Sequence, residues 1–164
     1  MALLRKALVC ELNWPRVSAL QAHIHHHASG APYLYTKETA RELLHISISH
    51  SGKWVGFALS PLGQPVGFDL EVISKKRDVL GLSQYAFSDE EQVYVSQNGA
   101  LAFYYLWGAK EALAKFFGEG LSFALGLDLG GQLGVPKKEN ESIVFIKGER
   151  FLIQHTLAAC RIDF

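Results

Sequence analysis

Cysteine is almost missing: Cys10 and Cys160 stand far apart in 164 residues, with no metal-ligand spacing around either. Nothing here resembles a disulfide scaffold or a thiolate zinc site, and two buried, reduced thiols are the expectation, as suits a cytoplasmic protein. An excess of either charge is missing too, with 16 basic residues against 16 acidic ones. The chain therefore has no electrostatic footprint for non-specific nucleic-acid binding, and any phosphate-binding surface must be local. No apolar run approaches the ~18 residues of a membrane span. The opening MALLRKALVCELNW carries Arg5 and Lys6 in its middle, unlike the basic-then-apolar order of a signal peptide. No segment is rich enough in proline, serine or charge to argue for disorder, and no glycine-rich phosphate loop is found.

What is present is 49% hydrophobic residues, enough for one sizeable core. Leu4, Ala7, Leu8 and Leu12 recur at helical spacing over 2–13, and Pro15 opens a second helix through Val17, Leu20 and Ile24. The histidines at 23 and 25–27 read as the solvated end of that helix, since contiguous histidines point in several directions. Residues 33–44 read as a loop with one helical turn.

From residue 45 the period changes to two. HISISHS (45–51) sets Ile46 and Ile48 against Ser47 and Ser49, a half-buried strand. WVGFALS (54–60) and QPVGFDLEV (64–72) follow after tight turns, so the three are expected to form an antiparallel meander. A short helix is expected around 78–85. SDEE (88–91) has the form of a capping box, opening a helix that Asn98-Gly99 ends. A longer helix spans about 100–117 with Ala102, Leu106, Ala109, Leu113 and Phe116 inward, and Gly118 and Gly120 close it. Residues 142–149 and 151–164 read as strands.

Three groupings carry chemistry. Asp69 and Glu71 share one face of a strand, with Cα atoms roughly 6.6 Å apart. Such a pair is costly unless it is solvated or a cation lies between, and hard oxygen ligands suit Mg²⁺. Trp107, Glu111 and Lys115 share one helix face, where Glu111 and Lys115 alone would be an ordinary i, i+4 pair. Lys110 flanks the apolar stripe of the same helix. SHSG (49–52) offers two hydroxyls, an imidazole and a turn that can hydrogen-bond a phosphate. KKR (75–77) is a basic run that reads as a solvated loop or as a contact for an acidic partner.

In order, SHSGKWVGFALS, VGFDLE, FSDEE and WGAKEALAKFFGEGL resemble the signature of the 4'-phosphopantetheinyl transferases, of the type that activates surfactin-synthetase-like carrier domains. The resemblance covers about residues 45–121. It implies transfer of the phosphopantetheine arm of coenzyme A to a serine of an acyl or peptidyl carrier protein, releasing 3',5'-ADP. It also implies Asp69, Glu71 and Glu111 as Mg²⁺ ligands, and Glu111 or a water it holds as base. Lys110 and Lys115 match the helix lysines, with Lys115 the one on phosphate, and Ser49 and His50 match the segment that contacts coenzyme A. Glu91 matches a supporting glutamate and Trp107 a packing wall.

The fold implied is α+β: two similar halves, 1–62 and 63–164, each a helix packed on a small antiparallel sheet. Relatives usually carry a strand and several tens of residues before the helix that begins here at Met1, so the first half reads as shortened. Their Gly-basic-Pro element stands here as Gly30-Ala31-Pro32. Both departures fall on coenzyme A binding, which makes a non-catalytic relative that binds carrier or coenzyme A the rival reading. An open sheet edge and the apolar helix 2–13 would call for cover, which a homodimer could give.

Overall fold

A computed structural model describes residues 1–37, 41–61, 65–74, 76–129 and 142–147. The chain is α+β, with one four-stranded and one two-stranded antiparallel sheet. It opens with helix α1 (Ala2–Cys10) and a short α2 (Arg16–Gln21), followed by β1 (Ala22–His26) and β2 (Pro32–Thr36). Strands β3 (Arg41–Ser51) and β4 (Trp54–Pro61) form a hairpin and complete the order β1-β2-β3-β4. Leu4 and Leu8, one helical turn apart on α1, pack with Ala22, Leu34 and Ile46 of this sheet. The apolar face of α1 is thus covered within its own chain.

This first part corrects several expectations. Ile24 lies in β1, not in a helix, because a short run with apolar residues at 20 and 24 fits either period and cross-strand pairing with Leu34 decides it. His23, His25 and His26 consequently sit on a strand, which His27 follows: His25 packs against Tyr33 and Tyr35, with ring centres 5.9 and 4.7 Å away. Residues 32–36 and 41–44 are strand, not loop, the latter extending β3 ahead of the alternation that begins at residue 45. Cys10 is exposed, on the side of α1 away from Leu4 and Leu8, and Cys160 lies outside the described residues.

Strand β5 (Gly67–Val72) does not continue the meander. It pairs with β6 (Ser142–Lys147), setting Asp69 opposite Phe145 and Glu71 opposite Ile143. Its tie to β3 runs through side chains. Ser47 Oγ accepts from the Phe68 N–H at 2.9 Å, and Ser51 Oγ accepts from the Val72 N–H at 3.1 Å. The serine face of β3 is therefore a buried joint between the sheets, with Ser47 and Ser49 only 3% and 7% exposed.

Helix α3 (Val79–Ala86) is followed by the long α4 (Asp89–Phe117) and the one-turn α5 (Leu121–Leu125). The capping box forms as expected, with Ser88 Oγ accepting from Glu91 N–H and Glu91 Oε2 accepting from Ser88 N–H. Gly99 breaks α4 at φ 74°, ψ −162°, and Gly118 closes it at φ 70°, conformations that favour glycine. Gly120 starts α5 and so opens a helix where a terminator was expected. Gly67 lets β5 lie directly on α4, because a Cβ there would come within 1.9 Å of the Ala112 carbonyl oxygen. The core on this side joins Phe87, Val95, Phe103, Tyr104 and Leu106. Among the described residues no helix is long and apolar enough to cross a membrane. The strand expected over 151–164 lies outside them.

Candidate active site

Asp69 is the centre of a polar cluster where β3, β5 and α4 meet. It projects from β5 opposite Phe68 and Leu70, which enter the core, yet only 1% of it is exposed. Ser49 Oγ donates to Asp69 Oδ1 at 2.8 Å, and Lys115 Nζ reaches the same oxygen at 2.7 Å. Lys115 Nζ also lies 3.5 Å from Glu111 Oε2, one helical turn back on α4. Trp107 Nε1–H donates to Glu111 Oε1 at 2.8 Å, fixing the carboxylate from its other side. Glu71, two residues along β5, is 8% exposed and accepts a long contact from Ser51 Oγ at 3.5 Å. A solvent-facing edge strand is therefore ruled out for this carboxylate pair.

The structure thus gathers Ser49, Asp69, Glu71, Glu111 and Lys115. His50 is not among them: it leaves the opposite face of β3 and is exposed. Lys110 is also elsewhere. Its Nζ is fully buried 3.0 Å from Glu91 Oε1 and donates to the carbonyls of Ala124, Leu125 and Leu127. Glu91 Oε1 further accepts from Leu129 N–H at 2.8 Å. This pair ties the start of α4, its middle and the α5 turn together. The capping-box motif announced Glu91, but nothing in the spacing of residues 91 and 110 announced their pairing.

Three carboxylates in a buried setting repel one another. Burial, then Asp69, then Glu111 push the Glu71 carboxyl up to about 7, against the partial relief given by Arg77 and Ser51. Burial, then Asp69, also raise Glu111, while Lys115 and the Trp107 hydrogen bond oppose the rise. Between about pH 4.5 and 7 the folded chain holds a proton on Glu71 that the unfolded chain has released, so folding stability falls as pH rises through that window. Glu71→Gln is accordingly expected to raise stability above pH 7 by up to about 3 kcal/mol, a gain that shrinks to nothing towards pH 4.5. Paired thermal melts across this range, without divalent cations, read the difference. A gain independent of pH would contradict it.

The donor set fits a hard divalent cation. Asp69 Oδ2 is buried with no hydrogen-bond partner, beside two further carboxylates. Among the described residues no three His, Cys, Asp or Glu side chains are already arranged to hold a metal ion together, and the Lys115 ammonium holds Asp69 Oδ1. One or two carboxylates, with the remaining positions left to water or phosphate, is what Mg²⁺ tolerates. A cavity of about 410 Å³ opens on the Lys115 flank, lined also by Ser47, His45 and the Gly30-Ala31-Pro32 segment. A second, of about 400 Å³, opens on the Glu71 flank beside Ser51 and Arg77.

The sequence around this cluster carries its ancestry. Residues 65–157, which include Asp69, Glu71, Glu111 and Lys115, match the model of the 4'-phosphopantetheinyl transferase superfamily. The chain belongs to that superfamily. Among curated relatives, it is 38% identical over 84 residues to the 4'-phosphopantetheinyl transferase psf-1 of Bacillus pumilus, covering 49% of this chain and 35% of that one. It is 34% identical over 133 residues to the transferase ffp of Bacillus subtilis, covering 73% and 57%. It is 31% identical over 125 residues to the transferase Sfp of Bacillus subtilis strain 168, covering 71% and 54%. The chain therefore spans about half the length of these two Bacillus subtilis relatives.

Proposed function

We propose that the protein transfers the 4'-phosphopantetheine arm of coenzyme A to a serine of an acyl or peptidyl carrier protein in an Mg²⁺-dependent reaction. The observation that carries the proposal is the unpartnered, buried Asp69 Oδ2 within a cluster of three carboxylates and one lysine. In this reading Asp69, Glu71 and Glu111 hold Mg²⁺, which when bound neutralises charge across the pyrophosphate oxygens.

Glu111, or a water it holds, is the base that takes the proton from the carrier serine hydroxyl. The serine oxygen forms a bond to the phosphorus bearing the pantetheine arm, the bridging P–O bond breaks, and 3',5'-ADP leaves. Lys115 moves its ammonium from Asp69 to the phosphates and offsets charge on the leaving group. Ser49 keeps Asp69 oriented through Oδ1, and Oδ2 would be the oxygen left to hold a cation. The nucleotide end of coenzyme A occupies the cavity on the Lys115 flank. His50, exposed on the opposite face of β3, has no part in this reading, and Lys110 acts through Glu91 by holding α4 in place.

We further propose that residues 1–62 and 63–164 are two versions of one helix-on-sheet unit, and that the protein works in the cytoplasm. A homodimer would cover the β1 edge. The reaction is tested by chromatography of the nucleotide product. 3',5'-ADP is expected only when coenzyme A, Mg²⁺ and an apo carrier are all present, and not with a carrier whose serine is replaced by alanine. No 3',5'-ADP from any apo carrier, beside a working transferase, would leave the non-catalytic binder as the reading.

A further inference from the structure

The loop between β5 and α3 carries a cation that the KKR run alone would leave in solvent. The Arg77 guanidinium carbon lies 5.3 Å from the Trp107 ring centre, 5.5 Å from that of Phe103 and 5.7 Å from that of Tyr104. Its Nη1 stands 3.8 Å from Glu71 Oε2, too far for a hydrogen bond. The aromatic shelf on α4, more than the ion pair, therefore fixes where the guanidinium sits. The loop is pinned to the same helix by the Ser74 N–H, which donates to Tyr104 Oη at 3.0 Å. Ser51 contacts the same oxygen of Glu71 as Arg77 does. Trp107, the ring nearest Arg77, in turn donates to Glu111. One shelf thus links the restraint on Glu71 to the restraint on Glu111.

We infer that Arg77 is a positioning residue: held on Phe103, Tyr104 and Trp107, its charge stands beside Glu71 Oε2 and turns that oxygen towards itself and Ser51, leaving the other for the divalent cation shared with Asp69 and Glu111. The inference rests on reading those carboxylates as a cation site. Simple electrostatics predicts the reverse sign, because a neighbouring positive charge repels a cation and its removal would tighten binding.

Mn²⁺ serves as the probe, with the free ion followed by electron paramagnetic resonance in a titration of the whole chain. Arg77→Ala is expected to weaken Mn²⁺ binding roughly tenfold, as loss of a partner that orients a metal ligand commonly does. Arg77→Met, which keeps apolar cover on the rings, should weaken it equally, and Arg77→Lys should recover part of the loss. Lys76→Ala, which removes a charge from the same loop, should change nothing. In the transfer reaction Arg77→Ala should raise the Mg²⁺ needed for half-maximal rate, while kcat at saturating Mg²⁺ holds within about threefold of wild type. Unchanged or tighter Mn²⁺ binding in Arg77→Met overturns the inference, as does an equal loss in Lys76→Ala. A wild-type chain that binds no Mn²⁺ overturns the cation-site reading itself, and this inference with it.

Discussion

Asp69→Asn is expected to lower phosphopantetheinyl transfer by about 10³-fold, some 4 kcal/mol of barrier, without unfolding the chain. The amide keeps an oxygen for the Ser49 hydroxyl and nearly the same volume, so the joint between β3 and β5 survives. What it removes is the anionic oxygen pair at the centre of the cluster, including the buried Oδ2 left without a partner. The same change relieves repulsion on Glu71 and Glu111, which both feel the Asp69 charge. Folding stability should therefore hold or rise while activity collapses. Initial rates beside thermal melts separate the two effects, and wild-type rates in Asp69→Asn would refute the metal assignment.

The second large effect is on stability and divides the two lysines of α4. Lys110→Ala leaves Glu91 buried without its cation and frees three carbonyls of the α5 turn, so a loss of about 3–5 kcal/mol is expected. That is a large share of the ~5–15 kcal/mol available to a domain. Lys115→Ala also takes a cation from a buried carboxylate, Asp69, but at a side chain 30% exposed, where water can enter, so it should cost less stability than Lys110→Ala and remove transfer. In a double-mutant cycle Glu91→Gln with Lys110→Met should cost much less than the two single changes added, because neither group is then left charged and alone. Urea denaturation measures all four proteins. Additive costs would show that the two side chains do not act as a pair.

The contrast marks what residues reveal on their own. Strands β3, β4 and β5 and the caps of α4 were legible because each is written in local patterns: alternation, a turn glycine, a capping box. The carboxylates and Lys115 were legible because chemistry that is costly without a partner stands at fixed spacing. Strands β1 and β2 were not, since their histidines and tyrosines hide the alternation of Ile24 and Leu34, and a run this short fits a helix equally well. The β5–β6 pairing joins segments far apart along the chain, so no local signal announces it. Ser47, Ser49 and Ser51 look like a solvated strand face, and only the approach of β5 turns them into a joint and a restraint on two carboxylates. Lys110 and Glu91 meet across the Gly99 break, which disrupts any helical count between them.

The most direct test is the intact mass of an apo carrier protein incubated with coenzyme A and the metal-stripped chain, before and after Mg²⁺ is restored. The account predicts no change before Mg²⁺ and one phosphopantetheinyl group on the carrier serine after it. A carrier that stays unmodified with Mg²⁺ present, or one modified equally without it, would contradict the account.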